Sequence, residues 1–458
     1  MTERFEILQK TLEQMLREKK YATLRDILIT INPADVAELF TDLLPEQIPV
    51  LFRLLPKELA AQTFVEMETE EQELLIRSFS DNELKQILDE LYVDDAADLV
   101  EEMPANVVKR ILRQADRQMR SSINQILRYP ENSAGSIMTT EYVSLRPDMT
   151  VEESILRIRR QGVDKETIYT CYVTQGRTLL GLVTVKDLLL CPDDETLVGD
   201  IMLTSIIKVN THTDREEVAQ MLSHYHFLAL PVVDMENRMV GIVTFDDAMD
   251  VLEEETTEDI QLMGGMLPSE KTYLKSSVFQ LFKSRIPWLL LLMVSATFTG
   301  MIITSFEGAL AAQAALTAFI PMLMGTGGNS GSQSSVTIIR ALSLDELRFS
   351  DLFRVIWKEI RTAVLCGGAL AVVCFVKIWL IDRLLLGNPD ITLMVDAVVC
   401  LALFVTVLAA KLVGAVLPIA AKAVKLDPAV MASPFITSIV DALSLLVYFM
   451  FAKLLLGV

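Results

Sequence analysis

The sequence predicts a multidomain chain: an all-α helical superhelix, a duplicated α/β module, an acidic connecting helix and a five-span α-helical membrane domain. Three observations carry this reading. Charge is divided: residues 1–270 hold 51 acids and 26 bases (net −25), and residues 271–458 hold 10 acids and 15 bases (net +5). A strand-to-helix motif, Gly-apolar-Val-Thr-x-x-Asp, occurs twice, at Gly181–Asp187 and Gly241–Asp247. Apolar stretches long enough to span a bilayer follow the acidic part. The expected bounds are 1–136, 137–200 and 201–252 (the two α/β copies), 253–280 and 281–458.

An acidic surface this large excludes a nucleic-acid partner, which needs basic stripes. It suits solvation or the gathering of divalent cations. Cys171, Cys191, Cys366, Cys374 and Cys400 show no CxxC spacing, which argues against a zinc site and a disulfide framework. His212, His224 and His226 form no metal-ligand set, and the last two suit structural roles. Met1–Lys20 is charged throughout and has no signal-peptide pattern, so the acidic part is expected to stay in the cytoplasm.

The helical part is read from recurring starts. Pro45-Glu46, Pro56-Lys57, Thr69-Glu70, Asp81-Asn82, Asp94-Asp95 and Pro104-Ala105 each supply a cap or a first-turn proline. Apolar residues follow at helical spacing, as in Leu84, Ile87, Leu88 and Leu91. Helices this short must stack to bury their faces. Asp94, Asp98 and Glu101 or Glu102 share one helix face, with Asp95 beside them. Those acids fit a solvated helix N-terminus or half of a divalent-ion site shared with another domain.

The repeat begins at Ile137. Met138-Thr139-Thr140 pairs with Met202-Leu203-Thr204, and the motif that closes each copy carries Thr184 with Asp187 or Thr244 with Asp247. This resembles a tandem pair of CBS domains. The resemblance implies a regulatory module with a cleft that often holds an adenine nucleotide, such as ATP, at the strand-to-helix turn. Directly after it, eight acids fall within Asp246–Asp259, and no base occurs between Arg238 and Lys271. Such like charges repel by a few tenths of a kcal/mol per facing pair. The run is either a solvated connector or a helix that folds or docks in response to cations.

Five apolar segments are expected: Ile286–Phe306, Ala311–Leu342, Thr362–Leu386, Ile391–Val424 and Ala429–Leu456. Lys271, Lys275, Lys283 and Arg285 precede the first. Arg340, Arg348, Arg354, Lys358 and Arg361 lie between the second and third, and Lys422 and Lys425 between the fourth and fifth. The opposite loops show only Glu307, Asp382, Arg383 and Asp390. The basic bias places the N-terminal part inside and, after an odd number of spans, the C-terminus outside.

Within those spans, Gly325–Ser335 is dense in glycine and serine, which predicts a broken second span that lines a cavity or packs closely. Gly328, Asn329, Ser332 and Gln333 are the expected lining. Asp427-Pro428-Ala429 opens the fifth segment, and Pro434 is expected to kink it before Asp441. Asp441 is a carboxylate in an apolar span without a basic neighbour in sequence, and Thr437 lies one turn away on the same side. An acid there costs about 2.5–3.5 kcal/mol on insertion scales, so it should face a partner or a water-filled path. In the fourth span, Lys411 could pair with an acid or snorkel.

Gly-Gly-Asn-Ser-Gly-Ser-Gln (residues 327–333), Asp427-Pro428-Ala429 and Asp441, in this order of parts, resemble the MgtE family of magnesium channels and transporters. The resemblance covers essentially the whole chain. It implies a homodimer in the cell (inner) membrane with the ion path on the dimer axis, so that two copies of Asp441 face one hydrated Mg2+. It also implies a Mg2+ sensor of cytosolic acids that separate at low Mg2+ and are bridged at high Mg2+, when the connecting helix plugs the pore. The matching positions are Asp247, Asp250, Glu255, Glu258 and Asp259, with Asp94, Asp95 and Asp98. Asp214 and Glu216 match less closely. Mg2+ keeps several waters, which suits one carboxylate per subunit plus backbone carbonyls. Two other classes compete. A membrane-anchored nucleotide sensor would need neither Asp441 nor an irregular second span. An enzyme would need a nucleophile-base pair, phosphate loop or metal triad, and the sequence offers none.

Overall fold

The computed structural model describes the chain except Met1, Asp42, residues 270–272, Lys275, Asp345, residues 386–390, Ala432 and Val458. The charge markers Lys271, Lys275 and Asp390, and Leu386 at the expected end of the third span, lie outside the described residues. The chain divides into two compact units, Met1–Leu252 and Glu253–Val458.

The first unit opens with short stacked helices. Those at Lys57–Val65, Thr69–Ser78, Asp81–Leu88, Val93–Glu102 and Ala105–Gln114 begin within a residue of their expected starts, whereas Ile48–Phe52 begins later. Ser80 caps the Asp81–Leu88 helix reciprocally with Glu83, and Arg53 Nε donates to Glu83 Oε1 at 2.7 Å. That pairing holds the Glu83 carboxyl down at about 2. Leu51, Phe64, Leu75, Leu84, Ala96 and Ile111 share one continuous core, as a stack of amphipathic helices requires.

Each repeat copy forms a three-stranded sheet with a parallel and then an antiparallel pair. The first holds Tyr142–Leu145, Thr167–Gln175 and Thr178–Thr184, and the second Val209–Asn210, Ala229–Val233 and Met239–Thr244. The copies join by equivalent contacts. Leu182 and Leu203 exchange backbone hydrogen bonds at 3.0 and 2.8 Å, and Ile242 and Thr139 do so at 2.9 and 2.8 Å. Gly181 and Gly241 permit this approach: a Cβ on Gly181 would lie 2.6 Å from Met202 Sδ, and one on Gly241 2.5 Å from Thr139 O.

A helix at Phe245–Met263 carries the acidic run. It stops where Gly265 takes φ +69°, a left-handed helix end that glycine adopts without strain. The next helix begins only at Val278, so the segment expected as one connector over 253–280 contains a helix end.

Among the described residues of the second unit, four helices are long and apolar enough to span a membrane: Val278–Ser305, Phe349–Leu385, Leu393–Ala423 and Pro428–Leu456. The expected second span differs in two ways. A short helix at Glu307–Ala312 and a 3-10 turn precede it, and the span itself is a 24-residue helix, Ile320–Ser343, too polar to join the other four on composition. It is also unbroken through Gly325–Ser335, which corrects the expected irregular backbone. Pro321 sits in its first turn, where no hydrogen bond is lost. The glycines are held helical by neighbours: a Cβ on Gly327 would lie 2.7 Å from both Ser444 and Thr406, and one on Gly414 2.2 Å from Gly331 O. The Pro434 kink is likewise corrected. A 3-10 turn at Pro428–Met431 precedes the last helix, which starts at Ser433, so Pro434 lies in the first turn.

Candidate ion-path and metal sites

Asp441 stands in the Ser433–Leu456 helix, half-buried, and its carboxylate has no hydrogen-bond partner among the described residues. A protonated acid tied to a neighbouring helix is therefore not what the structure presents. One turn earlier, Thr437 packs on Gly328, and its hydroxyl lies 3.5 Å from Ser332 Oγ. Gly328 is buried in this crossing, so it allows close approach and exposes no side of itself. Asn329 and Gln333 are four residues apart on the outer side of the same helix. Both are exposed, and neither side-chain amide has a partner among the described residues. Primary amides facing hydrocarbon would forfeit their hydrogen bonds at several kcal/mol each, so this face must meet water or another chain.

Lys411 is buried at 5% exposure and neither pairs directly with an acid nor snorkels in the contacts it makes. Its ammonium donates to Ser334 Oγ at 3.3 Å, and Ser334 in turn donates to Glu359 Oε2 at 2.7 Å. A hydroxyl thus bridges cation and carboxylate across three helices.

A second site lies in the first unit. The Val93–Glu102 helix brings Asp94, Asp95 and Asp98 toward Asp247. Two acids not foreseen from the sequence complete the group. One carboxylate oxygen each from Asp94, Glu141 and Glu166 lies within 4.8 Å of the others, a spacing that can hold a metal ion. Glu141 Oε2 also accepts from Val93 N–H at 3.2 Å, placing an acid at the helix N-terminus. Glu166 Oε2 is buried without a hydrogen-bond partner among the described residues. Glu141 and Glu166 flank strands and form no acidic run, so only the fold reveals them.

Burial, and then Asp247, push the Asp94 carboxyl well above the usual range. The same causes raise Asp95 to about 7 and Glu166 to about 8. Asp98 shifts upward too, although its side chain reaches solvent and is screened there. Burial lifts Asp247 to about 6 against the hydrogen bond from Thr244. These are acids crowded out of water, and a bridging divalent cation is the chemistry that relieves them.

The remaining expected acids are dispersed. Asp250 lies near Asp247, and Glu66 is raised by burial and then by Asp250. Asp214 caps the Arg215–Tyr225 helix by accepting from Glu216 N–H at 2.9 Å, and Glu216 accepts from Gln220 at 3.0 Å. Glu255 and Glu258 sit half-buried on the acidic helix, and Glu255 raises Asp259. Asp259 accepts from Ser343 Oγ at 3.1 Å, is raised by burial and by Asp427, and precedes Leu262, which packs on Ile339 and Ala429. Beyond the helix end, a Cβ on Gly265 would lie 2.9 Å from Pro434, seven residues before Asp441.

In the repeat pair, Thr184 Oγ1 donates to Asp187 Oδ2 at 2.5 Å at the mouth of a cleft of about 570 Å³. Tyr169, Lys186, His226 and Phe227 line it. The opposite turn, Thr244 with Asp247, faces the acidic cluster instead.

Comparison with known proteins agrees with these parts. Residues 320–451 match the MgtE divalent cation transporter family, 31–132 the MgtE intracellular N domain, and 134–192 and 198–254 the CBS domain. The magnesium transporter MgtE of Thermus thermophilus is 38% identical over 98% of this chain and 99% of its own length. That of Bacillus subtilis is 31% identical over 95% of this chain and 94% of its own. A crystal structure of the cytosolic domain of the Mg2+ channel MgtE in complex with ATP covers 53% of this chain and 99% of its own, at 39% identity and a TM-score of 0.51. The soluble part of a magnesium transporter matches with the same TM-score at 29% identity, covering 55% of this chain and 99% of its own.

Proposed function

Because this chain belongs to the MgtE family and is a membrane transporter of Mg2+ rather than an enzyme, we propose that Asp441 is the ion site on its path and that a second copy of the chain completes that path. The observation that carries this is the unpartnered carboxylate of Asp441 on a domain that leaves Asn329 and Gln333 uncovered. Two copies facing across an axis would surround one hydrated Mg2+ with carboxylates, Thr437 hydroxyls and amides, an outer-sphere arrangement that Mg2+ favours. The cytosolic acids then act as the sensor. Mg2+ bridging Asp94, Glu141, Glu166 and Asp247 would hold the helical domain on the CBS pair, and the Asp259–Leu262 end of the acidic helix supports closure at Pro434. The cleft at Thr184 and Phe227 is the place for ATP, the ligand held by the related cytosolic domain. The N-terminal unit faces the cytoplasm in this reading, and the C-terminus lies outside.

Liposomes reconstituted with wild type and Asp441→Asn test the path. Mg2+ influx in the wild type should fall at least about tenfold in the variant, the loss of an interaction worth about 1.4 kcal/mol or more at the barrier. Equal influx would move the path away from Asp441.

A further inference from the structure

The formal net charge over residues 1–252 is −19, so a concave surface bordered by arginines stands out in that unit. One such surface lies where the Arg117–Ile126 helix and the chain just after it meet the hairpin turns of both repeat copies. A cavity of about 360 Å³ there is lined by Gln125, Tyr129, Thr140, Tyr142, Arg177 and Arg238, with Asp234 at Arg238. A second cavity, of about 560 Å³, shares Gln125 and Tyr129 and adds Arg128. Arg238 is committed to Asp234 and Glu236, at 2.7 Å each. Arg128 and Arg177 are not: neither guanidinium makes a side-chain hydrogen bond or ion pair among the described residues, and the same holds for the side chains of Gln125, Thr140, Tyr129 and Tyr142. Two uncommitted planar forks, an amide and three hydroxyls thus border adjoining hollows, and this donor set suits phosphate oxygens.

We propose that these adjoining cavities bind a small phosphate-bearing anion, separate from the ligand of the Thr184 cleft. Arg177 and Arg128 hold the phosphates, and Tyr129 borders both cavities. The site draws on the last helix of the helical domain and on both hairpins, which already touch where Met239 N–H donates to Arg177 O at 2.8 Å and Leu179 N–H to Asn237 O at 3.3 Å. An occupant therefore ties the helical domain to the repeat pair. The consequence for gating rests on the sensor reading above, but the binding itself does not, and it is measured separately.

The test is calorimetric titration of inorganic pyrophosphate into the full chain in lipid nanodiscs, free of Mg2+. Saturable binding is expected, weakened at least tenfold in Arg128→Gln/Arg177→Gln and unchanged in Phe227→Ala. Both arginines are exposed and unpaired, so the variant keeps its fold, which circular dichroism checks. Absence of saturable binding in the wild type, or equal binding in the double variant, overturns the proposal. Loss in Phe227→Ala alone does so too, since it assigns the anion to the other cleft. Nanodiscs of neutral lipid and of phosphatidylglycerol separate two sources of the same chemistry: weaker pyrophosphate binding in the anionic discs identifies a lipid headgroup as occupant, and equal binding a free phosphate compound.

Discussion

Gly414 shows how one missing methyl group sets the membrane unit. Its Cα meets the backbone of Gly331 so closely that a Cβ would lie 2.2 Å from a carbonyl oxygen, which cannot yield as a side chain would. Gly414→Ala should therefore cost about 1–3 kcal/mol or more by overpacking. Thermal unfolding in detergent should show a clearly lower Tm, and Gly368→Ala, which meets nothing within 4 Å, should leave the Tm near wild type. A shared Tm would mean that the crossing is looser than described. This residue also marks what the sequence could convey. Asp441 stood out by composition alone, because an acid in an apolar span is conspicuous. Glu141 and Glu166 did not, since each is one ordinary charge beside a strand, and only the packing of the helical domain on the first repeat copy puts them near Asp94.

At the scale of the element, the Val93–Glu102 helix is a titratable wedge. Asp94, Asp95 and Asp98 on it, together with Glu166, have carboxyls raised by burial, Asp95 to about 7 and Glu166 to about 8. A raised carboxyl favours the docked state while it is protonated. Docking without Mg2+ should therefore be complete below the ordinary carboxylate range and be lost as pH rises through about 6 to 8, the values of Asp247, Asp95 and Glu166. Small-angle scattering in chelator should show a compact chain near pH ~5 and an expanded one near pH ~8.5, with Mg2+ restoring compactness at the higher pH. Identical profiles at both pH values would remove the wedge from the switch. Local signals foretold such elements well where caps and periodicity agree, as at Thr69, Asp81 and Ala105. They failed at Ile320–Ser343. Glycine's intrinsic preference argues for a break there, but tight contact with Thr406, Thr437 and Ser444 keeps the helix whole.

Across the whole molecule, the order of parts was legible because each part has its own period and charge. The count of spans was less so: five were expected, four helices among the described residues are long and apolar enough, and Ile320–Ser343 is too polar to join them on composition. The acidic helix belongs to the same scale, because it contributes residues to both compact units. Neutralising Asp247, Asp250, Glu255, Glu258 and Asp259 together should abolish closure by cytosolic Mg2+. In excised patches the open probability should stay flat as Mg2+ rises, and a normal decline would reassign the sensor.

The exposed amides of Asn329 and Gln333, and the path proposed at Asp441, have a genetic corollary. If each path is built from two chains, a cell that expresses a wild-type and an Asp441→Asn allele at equal levels makes mostly mixed or wholly mutant assemblies. The defective allele should then behave as dominant, depressing Mg2+ uptake below the half that independent pores would retain. An uptake of one half would instead mean that every chain carries its own path.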